Sequence, residues 1–462
     1  MIGKLSNKML LKIFRYHIDA SPRLWPKLVH VCRRWRRIVL ASQRALHLQL
    51  FCTHGTSVSK ALDYWLALPI VVNFGGYSAL DPPALDDEVN ITAALEQSVR
   101  VTSISLTVTS SLLEKFSTIE GPFLKLEDLA LHSMDSTQLT LPNTFRCCPR
   151  LRSLHLTRVT FTALTKLLYS SKNLVDLQLH EALSTCHISP ATLADALFRM
   201  TQLQSLSLHF PSAANCIPFP ITSGDRIILP ALTRLNLRGI DAYSEGLVAR
   251  IGAPGLRDIE ITFFDNHIFD VPKLREFIDR IDLQKSHRQA DILFSECAIS
   301  ISLSQPGAPS CLKLQVLCKT LRSQPYFMAQ ICNHFPASLS CVEDLRISSV
   351  RSPIVKDSGD RGQWLRIIRR FGSTKWFHLA ELEREVVRAL QLSEARQETA
   401  LPALHKLCIR EPEPPYTPLR EAVASFIHSC WLSGRFVAVE YERLMISDLP
   451  TNGPGSGTAY PL

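Results

Sequence analysis

From residue 126 onward the apolar positions fall into a repeating figure, leucine-x-x-leucine-x-leucine. It reads Leu126-Glu-Asp-Leu-Ala-Leu131, Leu151-Arg-Ser-Leu-His-Leu156, Leu174-Val-Asp-Leu-Gln-Leu179, Leu203-Gln-Ser-Leu-Ser-Leu208 and Leu232-Thr-Arg-Leu-Asn-Leu237. Looser copies begin at Val101, Leu256, Val342 and Leu404, and a degenerate one is Thr374-Lys-Trp-Phe-His-Leu379. Successive starts between 101 and 256 lie 23 to 29 residues apart, the period of a leucine-rich repeat. In each copy the last two leucines alternate with polar residues, so they share one face of a short strand, and the first leucine packs at the turn before it. One such strand cannot bury its face alone. Stacked copies can, and the predicted fold is an α/β solenoid with a parallel sheet.

Helical segments are expected between the strands. Ser189-Pro190 places an N-cap before a proline and leads into Leu193, Leu197 and Phe198; Thr417-Pro418 repeats the signal before Val423, Phe426 and Ile427. The spacing is interrupted once, because 86 residues separate the starts at Leu256 and Val342. Within that interval the alternations Ile292/Phe294, Ile299/Ile301/Leu303 and Leu312/Leu314/Val316 predict added strands over 290–317, with a turn at Gln305-Pro-Gly307. Leu46-His-Leu-Gln-Leu50 and Ile70-Val-Val-Asn-Phe74 are expected to open the sheet, and Arg435–Glu440 to close it.

The first 45 residues follow a different rhythm. Ser6 is the expected N-cap of a helix carrying Leu10, Ile13 and Phe14. After a turn at Ala20-Ser-Pro22, Leu24, Leu28, Val31, Cys32, Trp35 and Ile38 recur at helical spacing, with Arg33, Arg34, Arg36 and Arg37 off the apolar stripe. Helices this short need a partner to be stable. The run Leu5-Ser-x-x-x-Leu10-Leu11-x-Ile13-Phe14, followed by Leu28-Val-x-Val31-Cys32-x-Arg34-Trp35-x-x-Ile38, resembles the F-box, a helical module that docks onto the Skp adaptor of cullin-based ubiquitin ligases. The usual Leu-Pro start reads Leu5-Ser6 here, and Asn7 and Lys8 stand where acidic residues often follow. The order of F-box-like helices, irregular repeats and a final strand is similar to the fungal family of F-box proteins with leucine-rich repeats. The resemblance implies a non-catalytic substrate receptor. Leu5, Leu10, Ile13, Phe14, Leu28, Val31, Cys32, Trp35 and Ile38 would face the adaptor, and a cullin would be reached through it. A plainer reading keeps the repeats as an interaction scaffold and makes the helices a cap. The expected organisation is a helical domain over 1–45, repeats over 46–440, and a partly disordered tail over 441–462, where Pro, Gly and Ser accumulate.

Charge sharpens this division. Residues 1–50 hold eleven Lys and Arg against one acid, Asp19, while the rest balances 40 basic against 41 acidic residues. An acidic partner is therefore expected for the first segment alone. No further basic or aromatic platform follows, so nucleic acid is not an expected partner. No run approaches the roughly 18 apolar residues of a membrane span, and the start lacks the apolar core of a secretory leader. Thirteen cysteines at irregular spacing, without a C-x-x-C pair, point to reduced thiols in cytoplasm or nucleus.

No phosphate loop, dinucleotide fingerprint, zinc-protease motif or nucleophile elbow is present, so no catalytic residue, cofactor or metal ligand is expected. Glu411-Pro-Glu413 reads as a surface turn. His132, His180 and His209 each follow the last leucine of a repeat and share an outward register. That row is read first as the polar cover that an exposed sheet face requires, with a contribution to partner binding as the alternative. The unknown protein substrate is expected on outward strand positions: Asp176, Gln178, His180, Ser205, Ser207, His209, Arg234, Asn236 and Arg238.

Overall fold

The computed structural model describes residues 5–54, 58–65, 67–74, 85–119, 121–133, 139–140, 143–160, 164–181, 188–210, 226–239, 242–264, 271–281, 287–307, 312–318, 323–349, 361–380, 384–395, 399–411 and 417–443. The Pro/Gly/Ser-rich end and the Pro412-Glu413 turn lie outside them. The chain divides into two compact units, Met1–Ile188 with Arg199–Leu203, and Ser189–Phe198 with Gln204–Leu462.

The first unit opens with α1 (Asn7–Ala20), α2 (Trp25–Val31) and α3 (Arg33–Ala41). Ser6 caps α1 as expected, its Oγ accepting from the Met9 amide at 3.3 Å. The apolar series from Leu24 to Ile38 is not one helix. A 3-10 turn over Pro22–Leu24 precedes α2, and Cys32 adopts an extended conformation (φ −161°, ψ 167°) that ends α2 and starts α3. Spacing alone misses this break, because two short helices on either side of one extended residue keep nearly the same apolar rhythm.

Six parallel strands follow: β1 (Leu50–Cys52), β2 (Ile70–Asn73), β3 (Val101–Val108), β4 (Asp128–Ser133), β5 (Ser153–Thr157) and β6 (Asp176–His180), paired in chain order. Leu129, Leu154 and Leu177 stand opposite one another, as do Leu131, Leu156 and Leu179, and all six are buried. At about 1.5–3 kcal/mol for each buried leucine, these ladders hold repeat to repeat. The first leucine of each figure closes the same turn: the amides of Leu126, Leu151 and Leu174 donate to the carbonyls of Phe123, Cys148 and Ser171. The opening strand starts later than the alternation predicts. Leu46 and Leu48 are buried, but His47 has φ +49° and the Leu48 amide donates to the Gln43 carbonyl at 3.0 Å. A turn there buries the same alternate residues as a strand would.

Among the described residues the main sheet of the second unit contains ten strands: β7 (Ser205–His209), β8 (Arg234–Arg238), β9 (Asp258–Phe264), β10 (Gln289–Phe294), β11 (Ala298–Ser304), β12 (Leu312–Leu317), β13 (Asp344–Ser349), β14 (Trp376–Ala380), β15 (Lys406–Glu411) and β16 (Ala438–Arg443). The strands expected near 290–317 form, and their pairing explains the long interval. Strand β12 lies parallel to β9, β11 runs antiparallel between β12 and β10, and β10 lies parallel to β13. The inserted hairpin keeps the inward rows unbroken: Ala290, Leu345, Phe377 and Leu407 are in register and buried. Strand β16 extends to Arg443, past the expected limit at 440. Pro190–Phe198 is helical with Leu193 and Leu197 buried, whereas Phe198, expected on that stripe, is 60% exposed at the helix end. Thr417–Leu432 is helical, with Val423 and Phe426 buried and Ile427 half-buried. Each unit is therefore a mostly parallel sheet with intervening helices, the leucine-rich-repeat arrangement its spacing predicts.

Candidate binding surfaces

The nine residues assigned to the helical segment separate by burial. Leu10, Phe14, Leu28 and Ile38 face inward, at 1% to 7% exposure. Trp35 and Leu5 are half-buried. The Trp35 ring meets Phe14 edge-on, with centroids 4.7 Å apart, and so joins α3 to α1. Ile13, Val31 and Cys32 are exposed. Burial thus falls on Leu10, Phe14, Leu28 and Ile38, while Ile13, Val31 and Cys32 remain in solvent.

Two further side chains belong with the exposed set. Met9, Ile13 and Tyr16 follow one another at one-turn spacing along α1, and Met9 and Tyr16 are 48% and 80% exposed. Sequence reading passed over both because neither lies on the stripe through Leu10 and Phe14. It also missed Trp25, Val29 and Val39, all buried; Trp25 precedes a proline and reads locally as turn.

The four arginines of α3 are not equivalent. Arg33, Arg36 and Arg37 are exposed and Arg34 is half-buried. Arg34 reaches back to α1, donating to the Leu5 carbonyl and, at 2.9 Å, to Asn7 Oδ1. Arg36 Nε donates to the Val29 carbonyl at 2.9 Å, at the end of α2.

On the repeats, most of the expected outward residues do line the solvent side of the sheet. Asp176, Gln178 and His180 are half-buried in the first unit; Ser205, His209, Asn236 and Arg238 are half-buried and Arg234 exposed in the second. Ser207 departs, with 8% exposure. Its short side chain lies beside Asn236 in register and shares a 3.4 Å contact with His209 Nε2, so larger neighbours cover it. Asp176 Oδ2 accepts from Gln178 at 3.1 Å and lies 2.7 Å from His155 Nε2. His155 holds the middle position between Leu154 and Leu156, an outward register that identifies it as surface-forming. Ser153, His155 and Asp176 bring a hydroxyl, an imidazole and a carboxylate together, but both partners meet the same nitrogen, Nε2, at 3.1 and 2.7 Å. A nucleophile relay needs the two on opposite ring nitrogens.

His132 and His180 do share a row, with Thr157 between them on β5. Two strand spacings separate their backbones by roughly 10 Å, and among the described residues they do not belong to a group of donors close enough to hold one ion. Burial pushes the His132 imidazole below its ordinary value, with the Arg158 charge acting in the same direction. His209 belongs to the second unit, opposite Arg238. There Glu260 forms an ion pair with Lys313 at 2.7 Å and accepts from Asn236 at 3.4 Å. These polar networks hold a fixed pattern of charge on the open face of each sheet.

No protein-family model matches the chain, and no curated protein matches it. Among solved structures it is similar to a leucine-rich-repeat protein of Leptospira interrogans, with 12% identity over 86% of this chain and 90% of that one and a TM-score of 0.30.

Proposed function

We propose that the chain is the substrate-recognition subunit of a Skp–cullin–F-box ubiquitin ligase. In this reading the N-terminal helices take a Skp-type adaptor, and through it a cullin, while the repeats present a protein substrate. The chain itself performs no chemistry and works in cytoplasm or nucleus. The observation that carries the reading is the apolar set that the helices leave in water: Met9, Ile13 and Val31 are 48%, 47% and 58% exposed. The helical segment buries Leu10, Phe14, Leu28 and Ile38 and leaves these others without an inward contact. Apolar anchors ringed by polar residues are what the core of a protein interface requires. The F-box resemblance names the occupant, and the basic excess of residues 1–50 suits an acidic one.

Co-elution of the full chain with a purified Skp-type adaptor tests the proposal. Ile13→Asp with Val31→Asp should abolish co-elution and leave the far-UV circular dichroism unchanged, since both side chains are exposed. Leu10→Ala with Phe14→Ala would lose binding by unfolding the helices and so serves only as a contrast. A wild-type chain that fails to co-elute at about 10 μM would leave the helices as a cap on a leucine-rich-repeat interaction scaffold.

A further inference from the structure

We propose that His378, Cys408 and Glu442 form a binding site for a borderline divalent metal ion of the zinc class. The three residues come from the successive strands β14, β15 and β16. Register places Asp291, Arg346, His378 and Cys408 in one row on the open face of the sheet, and Glu442 one row on, opposite Arg410. One donor atom from each of the three lies within 4.8 Å of the other two. They line a cavity of about 260 Å³ whose wall also includes Arg346, Ser348 and Arg410.

The donor set selects the ion. An imidazole nitrogen, a thiolate sulfur and a carboxylate oxygen are all ligands of zinc, whereas calcium and magnesium require oxygen. Donors around a tetrahedral zinc stand roughly 3.3–3.8 Å apart, so side-chain movements of about 1 Å close the trio. Three protein ligands leave the fourth position open to the cavity, where water or a donor from a bound partner can enter. His378 Nε2 lies 3.3 Å from Asp344 Oδ1. Asp344 Oδ1 is buried and has no hydrogen-bond partner among the described residues, so a small rotation of the ring would make it the outer carboxylate that orients a metal-binding histidine.

Two groups must yield. Arg410 pairs with Glu442 at 3.3 Å, and the dication takes its place on the carboxylate. Cys408 is 4% exposed and carries a proton before the ion enters. Binding forms the metal–sulfur bond, breaks the S–H bond and releases that proton to solvent, so affinity rises with pH. The thiolate and the carboxylate cancel the charge of the ion, which leaves Arg346 and Arg410 facing a neutral centre.

The test is a cobalt(II) titration of the full chain under a non-thiol reductant, followed by zinc. The exposed thiols Cys32, Cys147, Cys297 and Cys341 also attract soft ions, so variants must locate the site. The expected result is a thiolate-to-cobalt charge-transfer band that saturates at one equivalent and is displaced by zinc. Cys408→Ser should remove the band. Loss of outer partners alone weakens such sites 10–100-fold, so His378→Ala should weaken binding at least about tenfold. Glu442→Gln, a near-isosteric change at a partly exposed position, should weaken the ion while keeping the band, and it keeps the test valid if Cys408→Ser misfolds. Absence of the band in the wild type would overturn the proposal, as would equal cobalt affinity in wild type, His378→Ala and Glu442→Gln.

Discussion

Trp25 stands edge-on to Trp65, with ring centroids 4.9 Å apart and planes at 84°. Its indole Nε1 also donates to the Gln49 carbonyl at 2.7 Å. One fully buried side chain thus ties α2 both to the chain entering β1 and to the segment before β2. Removing it should cost about 3–5 kcal/mol, the usual range for Trp→Ala in a core. Trp25→Phe keeps most of the packing and forfeits the hydrogen bond, for about 1 kcal/mol. Urea unfolding, with proteolysis of residues 1–45 as a local readout, should rank the variants in that order. An unchanged midpoint for Trp25→Ala would mean that α2 is not anchored through this contact.

His287 gives the second unit a pH dependence. It is 1% exposed, and neither ring nitrogen has a hydrogen-bond partner among the described residues. Burial holds its imidazole below the ordinary histidine value. The proton therefore favours the unfolded chain, in which the ring titrates near about 6.5. Stability from this group is complete above that value and is lost as pH falls through it toward the depressed folded value. The melting temperature of the wild type should be lower at about pH 5.5 than at about pH 7.5, and His287→Leu should narrow the difference. An equal pH slope in both proteins would assign the dependence elsewhere.

The parts legible in the sequence are those where one physical rule acts alone. Leu129, Leu154 and Leu177 form a ladder because a strand with one buried face must alternate, and because neighbouring strands in a parallel sheet stay in step. Where two conformations satisfy the same burial, the pattern is silent. Leu46 and Leu48 are buried by a turn and would be buried by a strand. Cys32 interrupts a helical rhythm by its own φ and ψ, which the spacing of apolar residues does not record. The trio of His378, Cys408 and Glu442 was out of reach for another reason. Its members are 30 and 34 residues apart in degenerate repeats, and only the pairing of β14, β15 and β16 brings them together.

The arginines of α3 allow steering to be separated from tethering, if the helices take an acidic adaptor. Arg33 and Arg37 are exposed, while Arg34 and Arg36 donate to Asn7 Oδ1 and the Val29 carbonyl, both at 2.9 Å. Charge on Arg33 and Arg37 acts at long range on encounter rather than on the docked complex. Arg33→Glu with Arg37→Glu should slow association and flatten its salt dependence, with dissociation and melting temperature little altered. A Debye length of about 8 Å at physiological salt makes the loss modest there and larger in dilute buffer. Arg34→Ala should do the reverse, lowering stability by about 1 kcal/mol through the lost tie between α3 and α1. It should weaken adaptor binding by a similar factor at every salt concentration. Stopped-flow association and dissociation rates at low and high salt, set beside thermal melts of the same proteins, distinguish the two roles. Faster dissociation of the double glutamate variant, equal at all salt concentrations, would make Arg33 and Arg37 direct contacts and end the steering argument.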